Sequence, residues 1–201
     1  MAETPEEHLQ WILACIGRTE VEERRVETAH GLALASDVAA RLDLPIWDAS
    51  AMDGYAVRAG DLAGAAPSEP ALLRVVGEVA AGSGEDPSVA PGSAVRIMTG
   101  APVPADADAV VPVEATRDDS GGAGWAGDVV RVLGAFSPGA NVRRRGEDVG
   151  AGDTIARAGD RLGAARLSAI AAAGVGAVRV HRPPRIAVVS TGSELRPPGS
   201  A

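Results

Sequence analysis

The spacing of hydrophobic and polar positions predicts that the chain begins with a helix. Thr4 precedes Pro5 and Glu7, an arrangement typical of a helix start with a capping box. The apolar residues that follow have helical spacing and form one face, namely Leu9, Ile12, Leu13 and Ile16. We expect this helix to end near Gly17 and a second short helix to span residues 21–30.

Between Met52 and Val132 the apolar residues fall into short runs, which predicts a β-rich region. The runs cover residues 72–76, 94–98, 109–113 and 129–133. Clusters of Gly, Pro, Asp and Ser separate them, as turns separate strands. The glycine-rich residues 117–127 are predicted to form a loop at the tip of a hairpin.

A helical pattern returns in the last third of the chain. Asp160 is expected to cap a helix over residues 162–173, and Gly174 to end it. A strand is predicted at residues 177–180. The β-branched run at residues 185–190 is typical of a strand buried in a parallel sheet, with a turn into another helix after it.

Composition narrows the function classes. The 201-residue chain carries a formal net charge of −8, which argues against non-specific nucleic-acid binding. Its first residues are acidic, unlike a signal peptide, and no apolar run approaches the roughly 20 residues that cross a bilayer. These features predict a cytoplasmic protein without a membrane partner. Cys15 is alone, which excludes an internal disulfide, and we expect it to be buried.

Two segments in the β-rich region combine small residues with groups that bind ligands. Asp48, Ser50 and Asp53 place two carboxylates and a hydroxyl in one turn-prone stretch, although turn formation alone explains such a stretch equally well. Thr99 and Gly100 follow a predicted strand and offer a hydroxyl and an amide to an oxyanion. A plain exit from the strand is the alternative for this second segment.

Two further segments carry charge or a phosphate-binding pattern. Residues 143–145 are three arginines followed by Glu147 and Asp148, in which arginine suits phosphate and other oxyanions and aspartate suits Mg²⁺. A solvated cluster of ion pairs is the alternative. Residues 190–194 follow the last predicted strand, where ligands bind in open α/β sheets, but many α/β proteins have such a turn.

Taken in order, these segments resemble the MoeA family of molybdopterin molybdenumtransferases, which includes the E domain of gephyrin. The similar stretches are residues 50–56, 96–104, 141–148 and 184–195. The resemblance implies an α+β fold in which a discontinuous, helix-containing first domain carries an inserted β-rich second domain. The first domain would comprise residues 1–50 and 137–183, and the second residues 51–136. Residues 184–201 would begin a truncated α/β molybdopterin-binding domain.

The resemblance also implies an activity and its site. Family members insert molybdate into adenylated molybdopterin with Mg²⁺ and release AMP, and molybdopterin adenylyltransferase is the pathway partner. By this resemblance the catalytic residues would be Asp53, Thr99, Asp148 and Glu194, with Asp53 and Asp148 holding the metal. The substrate-binding residues would be Ser50, Gly100, Arg145, Ser190, Thr191 and Gly192.

Family members are homodimers whose catalytic cleft is shared between subunits. We therefore expect this chain to supply one wall of the cleft and to be inactive alone. The alternative is a non-catalytic dimerisation or scaffold module derived from the same family, since gephyrin's E domain also serves in receptor clustering.

Overall fold

The computed structural model describes residues 4–118, 120–122 and 124–199, and within them the fold is mixed α and β with few helices. The helices are α1 (Pro5–Cys15) and α2 (Ala164–Ala172). The strands are β1 (Val21–Arg25), β2 (Ala33–Leu34), β3 (Val38–Ala39), β4 (Ala49–Ser50), β5 (Gly54–Val57), β6 (Ala71–Val79), β7 (Ser93–Ile97), β8 (Ala109–Pro112), β9 (Thr116–Arg117), β10 (Val129–Val132), β11 (Val142–Arg143), β12 (Thr154–Ala156) and β13 (Ala177–His181). Short 3₁₀ turns lie at Val26–Thr28, Ala59–Leu62 and Val113–Ala115.

Backbone contacts divide the chain into two compact units, each discontinuous in sequence. The first unit comprises the chain up to Val38, Thr154–Ala171 and the chain from Val175, and the second comprises Ala39–Asp153 with Ala172–Gly174. Residues 39–50 and 137–153 thus lie in the second unit, although the sequence analysis assigned them to the first domain. Backbone bonds to the β-rich region account for this difference, because Ser50 donates to Ala101 and Ala140 accepts from Val110. The family's own domain division, including a third domain from residue 184, stays a prediction.

The second unit is built on a six-stranded sheet in the order β8-β5-β7-β6-β10-β9. Strand β5 is antiparallel to both neighbours, whereas β6 and β7 run parallel. Both faces of the sheet are buried at β5, where alternate residues enter different hydrophobic clusters. Tyr55 and Val57 belong to one cluster, and Ala56 belongs to the other. The strands predicted from the apolar runs in this region are confirmed.

The hairpin predicted around residues 117–127 is also present. Strand β9 pairs with β10, with Thr116 opposite Val132. Asp118 closes a tight turn by accepting the amide of Gly122 at 2.6 Å. Asp119 and Ala123, which fall within the predicted tip, lie outside the described residues.

The first unit contains a three-stranded sheet in the order β1-β13-β2. Residues 21–25 form strand β1, so the helix predicted over residues 21–30 is wrong. The cause is tertiary pairing, since all five residues of β1 have antiparallel partners in β13. The core beneath this sheet contains Leu34, Leu162 and Ile170, all fully buried.

The capping box of α1 is confirmed, but the helix contributes no buried residue to a core. Thr4 Oγ1 accepts the amide of Glu7 at 3.2 Å, and the carboxylate of Glu7 accepts the amide of Thr4 at 2.8 Å. No residue of α1 is buried. Cys15 is therefore exposed, contrary to the sequence prediction. Among the described residues, no helix combines the length and apolar character needed to cross a membrane.

The end of α2 was predicted correctly, but its start was not. Gly174 has a φ of +81°, which suits the residue after a helix. The helix begins at Ala164 because Asp160 does not cap it, and the carboxylate of Asp160 instead accepts the amide of Arg157 at 2.9 Å.

Residues 185–190 form no strand, which corrects the prediction of a buried central strand and of the helix entry after it. Ile186, Val188 and Val189 are 80–88% exposed. A strand needs a partner for its backbone groups, and no described segment pairs with this one.

Candidate functional site

The ends of two paired strands bring Asp53 beside Thr99. Gly54 of β5 lies opposite Ile97 of β7, so Asp53 precedes the first paired residue and Thr99 follows shortly after the last. A Cβ atom on Gly54 would lie 2.0 Å from the carbonyl oxygen of Val111 in β8. The close approach of these strands therefore requires glycine directly after Asp53.

One carboxylate oxygen of Asp53 accepts two hydrogen bonds from Thr99. The hydroxyl and the backbone N–H of Thr99 each lie 2.7 Å from Asp53 Oδ1. These bonds, the hydroxyl's first, lower the pKa of Asp53 because they stabilise the charged form. Both residues are exposed, and Asp53 Oδ2 makes no hydrogen bond to the described residues. Asp53 thus presents one free carboxylate oxygen to solvent.

Ser50 shapes the turn that leads into Asp53. Its buried hydroxyl donates to the carbonyl oxygen of Met52 at 2.6 Å, and its carbonyl oxygen accepts the amide of Gly100 at 2.8 Å. The amide of Gly100 is therefore already bonded, which corrects the expectation that it is free for an oxyanion. Gly100 has a φ of +81°, a conformation that favours glycine.

The arginine segment lies against the same turn. Strand β11 pairs with β4, which places Val142 opposite Ser50 and Arg143 opposite Ala49. Three of the four segments identified in the sequence therefore meet in the second unit.

Arg143 binds two carboxylates that follow it closely in sequence. Its Nε lies 2.7 Å from Glu147 Oε1, and its Nη2 lies 2.6 Å from Asp148 Oδ2. These contacts, with Asp148 first, raise the pKa of Arg143. Asp148, a predicted metal ligand, thus has one oxygen committed to an arginine.

The neighbouring arginines pair with acids from far along the chain. Arg144 bonds to Asp48, and the Nε of Arg145 lies 2.6 Å from Asp43 Oδ2. Asp48 Oδ1 also accepts the amide of Arg145 at 2.9 Å, and this bond is the main cause of its lowered pKa. The Nε of Arg145 is thus engaged by a carboxylate, which offsets part of the positive charge that an anion would meet there. In the described chain, this segment is the ion-pair cluster that the sequence analysis held as an alternative.

Tyr55 takes no part in this surface. The ring is fully buried, and its hydroxyl accepts the amide of Ala126 at 2.7 Å. The phenol close to Asp53 in sequence therefore stabilises the core.

The fourth segment belongs to the first unit. Its candidates Ser190, Thr191, Gly192 and Glu194 are all exposed. They lie in irregular backbone, without the strand and helix predicted to flank them. Their roles in substrate binding and catalysis stay predictions.

A surface cavity of about 580 Å³ opens beside Thr99 in the second unit. Its walls are mostly apolar, with Leu44, Ile46 and Trp47 on one segment, and Ser50, Thr99 and Arg143 supply polar groups. The indole N–H of Trp47 donates to the carbonyl oxygen of Gly100 at 3.2 Å. Trp47 was not among the residues predicted from the sequence. Its signal was rarity, because the chain has only three Trp, one Tyr and one Phe, and this tryptophan is next to Asp48.

The chain resembles known proteins over most of its length. Residues 3–174 match the family model described as the MoeA N-terminal region, domains I and II. Molybdopterin molybdenumtransferase 2 of Mycobacterium tuberculosis is 47% identical over 172 residues, which cover 86% of this chain and 41% of that protein. Molybdopterin molybdenumtransferase of Nostoc sp. is 40% identical over 167 residues, which cover 83% of this chain and 37% of that protein.

Solved structures agree with these relatives. A molybdopterin biosynthesis MoeA protein from Pyrococcus horikoshii superposes with a TM-score of 0.76 at 33% identity, covering 87% of this chain and 45% of that one. The chain thus spans about two-fifths of the length of the curated relatives it matches. From the family match and these identities, the chain belongs to the MoeA family and corresponds to its N-terminal region.

Proposed function

We propose that this chain serves in molybdenum cofactor biosynthesis, as part of a molybdopterin molybdenumtransferase. The observation that carries the proposal is the Asp53–Thr99 pair, which joins two of the segments that resemble the family. The names of the relatives support the same activity. With it we propose a cytoplasmic location.

The substrates would be adenylated molybdopterin and molybdate. Both are anions, so an acidic protein needs local positive charge and hydrogen-bond donors to hold them. Arg143 and Thr99 line one cavity, and their side chains would meet that need by exchanging their present carboxylate partners for substrate oxygens. The adenylated substrate requires a preceding nucleotidyl transfer, which molybdopterin adenylyltransferase would supply.

The carboxylates fit a magnesium ion that is shared with substrate phosphates. Mg²⁺ is commonly bound by one or two carboxylates together with phosphate oxygens and waters. Asp53 has a free Oδ2, whereas Asp148 would have to release Arg143. No group of three or more His, Cys, Asp or Glu gathers among the described residues, so a metal held by protein ligands alone is not favoured. When bound, Mg²⁺ would neutralise charge on the phosphate oxygens.

The protein groups would hold and orient the reactants. The bonds from Thr99 lower the pKa of Asp53, so its carboxylate stays ionised and able to bind a cation to a lower pH than an ordinary aspartate. Arg143, which lines the cavity, would exchange Asp148 for a substrate oxygen, and this would free one carboxylate oxygen of Asp148.

We further propose that this chain supplies one wall of the cleft and is inactive alone, since the relatives named for the activity are more than twice as long. We also propose, from the family resemblance alone, that Glu194 and its neighbours contact the substrate.

The test is molybdate- and Mg²⁺-dependent release of AMP from adenylated molybdopterin. The chain is assayed alone and with the C-terminal portion of a full-length relative. We expect release only in the mixture, with loss on Asp53→Asn and no loss on Glu69→Gln, an exposed carboxylate of the same unit. Release by the chain alone would overturn the partial-cleft proposal, and no release in either assay would overturn the enzymatic one.

A non-catalytic dimerisation or scaffold module is the second candidate. Helix α1 favours it, because Leu9, Leu13 and Ile16 share one face by their helical spacing and are 55–63% exposed. Burial of this face between two chains would stabilise a homodimer. The scaffold candidate would be supported if the mixture shows no turnover and the chain forms a dimer.

A further inference from the structure

Trp47 is held in a defined orientation at the rim of the cavity beside Thr99. Its indole N–H bonds to the carbonyl oxygen of Gly100, the residue directly after Thr99. The side chain is half-buried, so part of the ring is accessible. An indole restrained in this way loses little conformational entropy when a second ring stacks on it.

The cavity that Trp47 borders is also lined by residues that can bind an anion. Arg143 and Thr99 line the same space as Trp47, and each bonds to a carboxylate that a phosphate would replace. The other walls are apolar, and the volume of about 580 Å³ accommodates a ring system with an attached phosphate. The lining therefore matches a ligand with a flat, weakly polar part and a charged part.

Other cavities fit such a ligand less well. Trp47 also borders a cavity of about 320 Å³, but Glu85 and Asp86 line it and would repel a phosphate. A cavity of about 580 Å³ in the first unit includes Arg18 and His181 but contains no aromatic side chain other than that histidine.

We propose that Trp47 stacks against the planar heteroaromatic ring of the substrate while its phosphate lies toward Arg143 and Thr99. This proposal rests on the function proposed above and adds a residue that contacts the substrate. Stacking on tryptophan tolerates different rings because each presents a π-face, and charge on the phosphate sets the orientation. Adenylated molybdopterin offers two such rings, the adenine and the pterin.

Calorimetric titration of the chain with inorganic phosphate, AMP and a pterin monophosphate shows whether the adenine or the pterin is the ring that stacks on Trp47. We expect one of the ring-bearing phosphates to bind about tenfold more tightly than inorganic phosphate. Preference for AMP would assign the adenine to Trp47, and preference for the pterin would assign the pterin. If neither binds more tightly than inorganic phosphate, the proposal is wrong.

Three variants test the ring itself. Trp47→Leu is expected to remove the roughly tenfold advantage and to leave phosphate affinity within about twofold. Trp47→Phe keeps a ring but loses the bond to Gly100, and should retain most of the advantage. Trp11→Leu changes an exposed tryptophan of the first unit and should alter nothing. Equal losses in Trp47→Phe and Trp47→Leu would show that the hydrogen bond matters instead of stacking.

Two further measurements keep the outcomes separate. Thermal unfolding of each variant shows whether a lost affinity reflects a lost fold. If a Thr99 variant loses phosphate binding, but the ring-bearing phosphates bind no more tightly than inorganic phosphate, the stacking proposal is wrong and the proposed function stands. Absence of any Thr99-dependent binding of phosphate or molybdate would count against the proposed function.

Discussion

One carboxylate oxygen of Asp53 accepts hydrogen bonds from both the hydroxyl and the backbone N–H of Thr99, each at 2.7 Å, although the two residues are 46 positions apart in sequence. The pair forms only when β5 and β7 are in register, because Gly54 and Ile97 are the last paired residues before it. A slip of the two strands would separate the pair. The geometry of the site is therefore coupled to the folding of the six-stranded sheet.

Removal of the Thr99 hydroxyl should raise the pKa of Asp53. In Thr99→Val only the backbone N–H still donates to Oδ1, so the pKa should move toward the ordinary aspartate value of about 3.9. Carbon-13 NMR titration of the Asp53 carboxyl measures the shift, and Thr99→Ser, which keeps the hydroxyl, is the control. An unchanged pKa in Thr99→Val would show that the hydroxyl bond does not form in solution.

The same shift fixes the direction of a pH effect. The folded pKa lies below the unfolded value, so the pair stabilises the fold above the unfolded pKa and this stabilisation is lost as pH falls through the folded pKa. Acid unfolding of Thr99→Val should therefore begin at a higher pH than that of the wild type. Above about pH 6 both proteins have an ionised Asp53, and the pH dependence of their stabilities should be the same.

Gly54→Ala should destabilise the second unit. The new Cβ would meet the backbone carbonyl of Val111 at 2.0 Å, and a backbone atom in a paired strand cannot move aside cheaply. We expect a loss of about 3 kcal/mol in the free energy of unfolding, measured with urea. Gly60→Ala is the matched control, because nothing lies within 4 Å of its Cβ. Equal stabilities of the two variants would contradict the tight packing of β5 against β8.

Asp48→Ala should loosen the arginine segment more than an ordinary surface ion pair would. Asp48 accepts the amide of Arg145 and pairs with Arg144, so its loss frees a backbone donor as well as a cation. Hydrogen exchange at the Arg145 amide should accelerate several-fold. Glu27→Ala removes only the exposed pair with Arg25 and should have little effect elsewhere. Unchanged exchange at Arg145 would mean that other contacts hold the segment.

Polar substitutions on α1 test the proposed homodimer. Leu9 and Leu13 are 55% and 61% exposed, and the double variant Leu9→Ser, Leu13→Ser should shift the chain from dimer to monomer in sedimentation experiments. Leu72→Ser changes an apolar residue of similar exposure in the second unit and should leave the dimer intact. A wild-type chain that sediments as a monomer would argue against this interface.

Local patterns in the sequence predicted the strands of the second unit well, and they failed where pairing partners decide the structure. Strands such as β7 and β8 have short apolar runs bounded by turn residues, and this local pattern is sufficient to predict a strand. Residues 21–25 have no such pattern and become a strand only because β13 lies beside them. Residues 185–190 have a strong strand pattern but no described partner.

The candidate site was predictable in its residues but not in its hydrogen bonds. Residue types placed Asp53 and Thr99 on the list of site residues, but nothing in the sequence indicates that they bond to each other. The amide of Gly100 was expected to be free, and only the fold shows that Ser50 accepts it. Trp47 was missed because its relation to Gly100 spans 53 residues.

The packing of Tyr55 against Trp125 gives the protein an internal optical probe. Tyr55 is the chain's one tyrosine, and its ring centroid lies 5.5 Å from that of Trp125. Excitation absorbed by the phenol should pass to the indole in the folded protein, so tyrosine emission is quenched. Its recovery during denaturation would follow the opening of the second unit's core without any attached label.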